Sequence, residues 1–217
     1  MARFDSSARD ARELWEGMYS GNEGHVWSGR PNAALLAAID DLTPGTALDL
    51  GCGEGGDVLH LARAGWQVLG VDVADTAIAR AQQHADEAGV GDRVRFERHD
   101  LGATFPPGRF DLVTASFLHS FAFLDRVDVL RRGAQAVAPG GSLLVLGHHT
   151  VPGEQLARWR AEGFAVDLPS PAELLDQLAL PEADWAVARS ALVDRTVTLE
   201  DGGTFAGSDG VLRLDRR

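Results

Sequence analysis

From residue 46 onward the chain alternates short apolar runs with longer segments in which apolar residues recur every three to four positions. Such alternation is the mark of parallel strands joined by crossover helices. Runs at 47–50, 67–71, 94–96, 110–114 and 142–146 predict five strands, and segments 57–64, 75–88 and 125–138 predict the helices between them. Gly65 and Gly89 close the first two helices, and Pro139, Gly140 and Gly141 stop the third. Ahead of this core, Leu14, Trp15, Met18 and Tyr19 share one helical face, and a second helix is expected from Pro31 with Leu35, Leu36, Ile39 and Leu42 turned inward. Behind it, Ser170, Pro171 and Glu173 form a capping box that opens a helix to about Leu180. Two last strands, 186–193 and 211–214, are separated by the glycine-rich stretch 202–210 and are expected to pair antiparallel at the sheet edge. No repeat, linker or compositional break marks a second domain, so 1–217 reads as one domain: a helical cap over 1–44, a core over 45–150, and a C-terminal helix with a closing hairpin over 151–217.

Composition narrows the function. With 45% hydrophobic and 24% charged residues the chain belongs with ordinary globular proteins, and no run approaches the roughly 18 apolar residues of a membrane span. The start, MARFD, lacks the apolar core of a secretion signal, and one cysteine, Cys52, allows neither an internal disulfide nor a multi-cysteine zinc site. A cytoplasmic protein is expected, with no membrane partner. The net charge of −12 opposes nucleic-acid binding and favours a small-molecule substrate. All 20 basic residues are arginine, so neither a lysine Schiff base nor a P-loop lysine is available.

The chemistry concentrates in ALDLGCGEGG at 47–56, a strand running through a glycine-rich turn into a helix. Glycines there let the backbone turn sharply and let a nucleotide-type cofactor approach. The spacing of Gly51, Gly53 and Gly56 also fits the dinucleotide fingerprint, which alone is a weak signal. Asp49 discriminates. A pyrophosphate at this turn would be repelled by a carboxylate two residues before the first glycine, whereas the amine and sulfonium of S-adenosylmethionine (SAM) would be attracted. Asp72, 21 positions beyond Gly51, stands where a carboxylate accepts both ribose hydroxyls. Asp100 is placed to accept from an adenine amino group, with Leu101 and Val73 against the ring.

Together LDLGCGEG at 48–55, Val71 with Asp72, Asp100, and FDLV at 110–113 resemble the successive motifs of class I SAM-dependent methyltransferases, over about residues 45–147. The resemblance implies an α/β fold: a Rossmann-like, doubly wound, seven-stranded sheet in the order 3-2-1-4-5-7-6, its last strand antiparallel, with helices on both faces and an N-terminal helical cap. It implies SAM as cofactor and S-adenosylhomocysteine (SAH) as product, with Gly51 and Gly53 cradling the methionine part, Asp49 on its amino group, and Asp72 on the ribose. Ser116 and Phe117 would face the reacting methyl. Trp15, Tyr19 and WSGRPN at 27–32 are similar, more loosely, to bacterial small-molecule methyltransferases of the tellurite-resistance and thiopurine groups. That likeness places Trp27 near the sulfonium and Arg30 near the methionine carboxylate, beside a plain packing role for both.

Methyl transfer is an in-line displacement that gains much from alignment alone, so a general base is optional. His119, just past the fourth strand, is the candidate base, against a reading as a polar residue without chemistry. His148 and His149 adjoin on an extended segment and point to opposite faces, so no metal site is expected; one of them can line the pocket. Cys52 reads as a small buried residue. Besides methyl transfer to an oxygen, nitrogen or sulfur nucleophile, three readings stay open: a non-catalytic SAM-binding regulator, a nicotinamide-dependent oxidoreductase and an aminopropyl transferase. The acceptor and the oligomeric state are not encoded in any motif. Calorimetric titration with SAM, SAH and NADH separates the cofactor classes: micromolar binding of the first two without the third is expected, and NADH binding alone would overturn the charge argument from Asp49.

Overall fold

The computed structural model describes residues 10–22, 24–27, 29, 32–119, 124–162, 166–199 and 202–217. Their elements run α1 (Ala11–Ser20), α2 (Ala33–Ile39), β1 (Thr46–Leu50), α3 (Gly56–Arg63), β2 (Gln67–Asp72), α4 (Asp75–Glu87), β3 (Val94–Arg98), β4 (Phe110–Ser116), α5 (Arg126–Ala136), β5 (Val137–His148), α6 (Gly153–Ala161), α7 (Pro171–Leu178), β6 (Trp185–Thr198) and β7 (Thr204–Arg216). The seven strands form one sheet in the order β3-β2-β1-β4-β5-β7-β6. β1 to β5 are mutually parallel, and β7 inserts antiparallel between β5 and β6. This is the expected topology.

The period of two along each strand sorts side chains to two apolar layers. Ala47, Leu112, Leu144 and Leu146 pack with α2, α3 and α4 around Val58, Leu61 and Trp66. Leu48, Leu50, Val113, Leu143 and Val145 pack with α5 and α7 around Leu130, Leu174 and Leu178. With both faces covered, the carboxyl ends of the parallel strands and the loops leaving them are where a ligand can meet polar groups.

Three boundaries differ from the sequence pattern. α5 ends at Ala136, and β5 begins at once with Val137, so Pro139, Gly140 and Gly141 lie inside a strand. Val137 pairs with Phe110, and the register then shifts before Leu112 meets Ser142; such an irregularity accommodates a proline that has no N–H to donate. The stretch 202–210 is mostly strand: the chain reverses where Leu199 N–H donates to Gly203 O at 2.8 Å, and pairing resumes from Thr198 opposite Thr204. Its glycines serve close approach, since a Cβ on Gly210 would lie 3.2 Å from Pro171, so the start of α7 can rest on β7. Finally, α6 forms where no element was assigned, and its Trp159 packs with Val166 on Leu14 of α1. No described helix is long and apolar enough to cross a membrane.

The capping box at Ser170 is present, with the Ser170 hydroxyl accepting from Glu173 N–H and the Glu173 side chain accepting from Ser170 N–H. At the other end of α7, Arg131 donates to the carbonyls of Gln177 and Leu178 at 2.8 and 3.1 Å. Leu178, fully buried, fixes this helix to the sheet. Leu178→Ala is expected to cost about 3 kcal/mol, read as a lowered urea midpoint with unchanged m-value.

Candidate active site

The glycine-rich turn is held by the strand beside it. Gly51 N–H and Cys52 N–H both donate to Val71 O at 2.9 Å, and Gly53 N–H donates to Asp72 Oδ2 at 3.0 Å. Gly51 and Gly53 adopt φ of 73° and 53°, a region glycine enters without strain. A Cβ on Gly53 would meet Tyr19 Oη at 2.9 Å and Trp27 Cδ1 at 3.6 Å, which sets the N-terminal aromatic pair directly over the turn. Trp27 Nε1–H donates to Tyr19 Oη at 2.9 Å while the Trp27 residue stays half exposed. Burial, reinforced by nearby Asp72, pushes the Tyr19 phenol well above its usual value.

Buried acid surrounds the turn. Asp49 is 3% exposed, and its register partner on β4, Thr114, donates its hydroxyl to Asp49 Oδ1 at 2.7 Å. Burial first, and then the charges of Asp57 and Asp72, push the Asp49 carboxyl up to about 7, the Thr114 bond opposing them. Asp72, also buried, accepts from Gly53 N–H and from Ala74 N–H at 3.0 Å each, and burial raises it too. Asp100 turns onto its own loop, accepting from Gly102 N–H at 3.0 Å, with Leu101 buried and Val73 half-buried. Cys52 is buried with its thiol pushed up, chiefly by desolvation, which makes it a poor nucleophile.

A clamp not read from the sequence attaches the cap. Glu54, 4% exposed, accepts from the N–H groups of Val26 and Trp27 at 2.9 and 3.2 Å, and pairs with Arg80 Nη1 at 2.9 Å. Arg80 donates in turn to Gly24 O at 2.8 Å and Asn22 O at 2.6 Å. The rings of His25 and His84 stack 4.5 Å apart behind this pair. On α1, Glu16 accepts from both N–H and hydroxyl of Thr76 at the start of α4. Glu54 sits within the glycine motif and was visible as an acid there; Arg80, on the unremarkable second turn of α4, gave no signal. Arg30 lies outside the described residues.

At the end of β4, Ser116 Oγ is buried and has no hydrogen-bond partner among the described residues. Phe117 follows at φ 53°, a strained conformation for a residue with a Cβ, and turns the chain so that His119 N–H donates to Phe117 O at 2.7 Å. His119 therefore sits in a loop. Its ring stacks 5.1 Å from that of His148, at the end of β5. Burial, with the nearby His148, Arg126 and Arg195, pulls His119 down to about 3, so it is neutral and only weakly basic. His148 Nδ1 lies 2.8 Å from Asp209 Oδ1, which also accepts from Arg195 Nε at 2.7 Å. His149, turned the other way, contacts Leu168 O at 3.3 Å. Thus Gly51, Gly53, Asp49, Asp72 and Trp27 converge on one turn, while Ser116 and His119 belong to the neighbouring β4–β5 edge.

A model of a methyltransferase domain matches residues 47–141. The chain is 35% identical over 170 residues, 70% of its length, to trans-aconitate 2-methyltransferase of Rhizobium meliloti, covering 63% of that relative. It is 32% identical over 164 residues, 68% of its length, to 2-heptyl-1-hydroxyquinolin-4(1H)-one methyltransferase of Mycobacteroides abscessus, covering 72%. The chain thus spans less than two thirds of the first relative's length and somewhat more of the second's. Among solved structures it is similar to one described for the conversion of a disulfide bond into a thioacetal group during echinomycin biosynthesis, at 29% identity and TM-score 0.69, covering 94% of this chain and 91% of that one. A SAM-dependent methyltransferase from Geobacter sulfurreducens in complex with SAH is similar at 25% identity and TM-score 0.60, over 85% and 75% of the two chains.

The acid cluster has a measurable signature. An unfolded Asp49 releases its proton near 3.8, while the folded one holds it to about 7, so rising pH across that window favours the unfolded chain. In the ligand-free protein, the stability of wild type relative to Asp49→Asn is expected to fall between about pH 4 and pH 7, measured by urea unfolding; parallel curves would refute the shift.

Proposed function

Because the chain belongs to the class I SAM-dependent methyltransferases, we propose that it transfers a methyl group from SAM to an oxygen, nitrogen or sulfur nucleophile of a small molecule. The observation that carries this reading is Asp49: a buried carboxyl, crowded by Asp57 and Asp72, is stabilised by a cationic ligand and destabilised by an anionic one. The residues present therefore fit SAM. Asp49 would hold its amino group, Gly51 and Gly53 its methionine portion, and Asp72 its ribose. Val73, Leu101 and Asp100 would frame the adenine, and Trp27 would cover the sulfonium with Arg30 at the carboxylate. When bound, SAM supplies an electrophilic methyl on a positively charged sulfur.

The chain's own part is alignment and desolvation. Ser116, with its buried and unpartnered hydroxyl, and Phe117, held by its turn, present the end of β4 to the reacting groups. For a nucleophile that must lose a proton, His148 is the better base than His119. Its Nδ1 is oriented by Asp209, an arrangement that fixes the tautomer and the ring's direction, whereas His119 is held neutral by burial. Among relatives, one acts on trans-aconitate and another on a hydroxyquinolone, which supports a small acceptor, as does the net charge of −12. A lone buried cysteine is in keeping with a cytoplasmic setting.

Turnover separates this reading from a SAM-binding regulator. Incubation with methyl-labelled SAM and a pool of small hydroxyl, amine, thiol and carboxylate acceptors is expected to give a labelled product and SAH; SAM binding without label transfer would favour the regulator. With the acceptor in hand, His148→Ala is expected to lower kcat about 100-fold for a protonated nucleophile, and His119→Ala far less. The reverse order would return the role to His119.

A further inference from the structure

Among the described residues, two arginines are deeply buried and stand in opposite states. Arg213 is 7% exposed and fully engaged: it pairs with Asp41 and Asp215 and donates to Ala38 O at 2.9 Å. Arg126, the first residue of α5, is 9% exposed, yet among the described residues its Nη2 has no hydrogen-bond partner. Desolvation pulls it below the usual arginine value, Asp167 countering from a distance, but a guanidinium stays charged. A buried cation with an orphan donor is costly to the fold unless something completes it.

The surroundings say where that something sits. Arg126 lines a small cleft, partly open to solvent, with Gly147, His148, Pro169, Leu174 and Gly210. A Cβ on Gly147 would lie 3.7 Å from Arg126 Nη1 and 3.8 Å from His119 Cε1, so the absent side chain leaves space that both groups flank. The acid nearest His148, Asp209, is taken up by His148 and by Arg195. Within a chain of net charge −12, this cleft offers an uncommitted guanidinium donor next to the strand end that presents the reacting methyl.

We propose that Arg126 is the acceptor anchor: it binds a carboxylate carried by the methyl acceptor and so selects small organic acids, while another atom of the acceptor faces Ser116 and Phe117. This rests on the methyltransferase reading and gives it a substrate class. A planar guanidinium matches a carboxylate in shape and charge, and a carboxylate oxygen can accept the orphan N–H.

The full chain saturated with SAH is titrated, by thermal shift, with benzoate, the hydroxybenzoates, succinate and adipate, each beside its neutral amide. At least one acid is expected to bind, at least about tenfold tighter than its amide. Arg126→Met, which keeps the bulk, is expected to lose at least about tenfold in acid affinity while binding SAH within about threefold of wild type, and Arg126→Lys to retain part of it. Amides binding as tightly as acids, acids binding Arg126→Met undiminished, or no acid binding at all would overturn the anchor. Should Arg126→Met fail to fold, the comparison of acids with amides on wild type still decides. Failure of wild type to bind SAH would instead overturn the methyltransferase reading beneath it.

Discussion

The functional edge of this protein depends on carboxylates kept out of water without a cation pressed against them. Asp49 relies on the Thr114 hydroxyl and Asp72 on the N–H groups of Gly53 and Ala74, neutral donors that fix position without cancelling charge. A salt bridge would have made Asp49 more comfortable and less available. The cost is spread over a rigid parallel sheet whose apolar layers supply stability elsewhere, a division of labour common where a fold hosts a site.

A second region repeats this logic with the sign reversed. Arg126 lies buried and His119 half-buried at the β4–β5 edge, one charged and one forced neutral by its surroundings. Negative charge at the glycine turn suits a cationic donor, and positive charge at the β4–β5 edge is what the proposed anionic acceptor would require.

Much of the fold was legible because parallel strands buried on both faces read as apolar runs, and the crossover helices α3 and α4 end close to a glycine, Gly65 and Gly89. The capping box at Ser170 and the turn from Gly51 to Gly56 are local codes, and local codes survive into structure. Misreadings arose where long-range pairing overrode them. Pro139 to Gly141 looked like a stop and lies in β5, because Phe110 offers Val137 a partner; of the glycines in 202–210, Gly202 has a positive φ beside the reversal, whereas Gly210 lies within β7 and lets α7 approach it. At the site, Asp49 and Asp72 were readable from spacing, but the pairing of Glu54 with Arg80, of His148 with Asp209, and the isolation of Arg126 join residues between 26 and 61 positions apart or depend on what is missing nearby, and no pattern in one sequence encodes either.

The hydrogen bonds by which Glu54 and Arg80 hold the cap loop go to main chain. Glu54 accepts from the amides of Val26 and Trp27, and Arg80 donates to the carbonyls of Asn22 and Gly24. Every residue type except proline offers the same amide, and every residue the same carbonyl. These bonds therefore place little demand on which side chains stand at 22, 24 and 26, so those positions can diverge while the loop stays moored over the glycine turn.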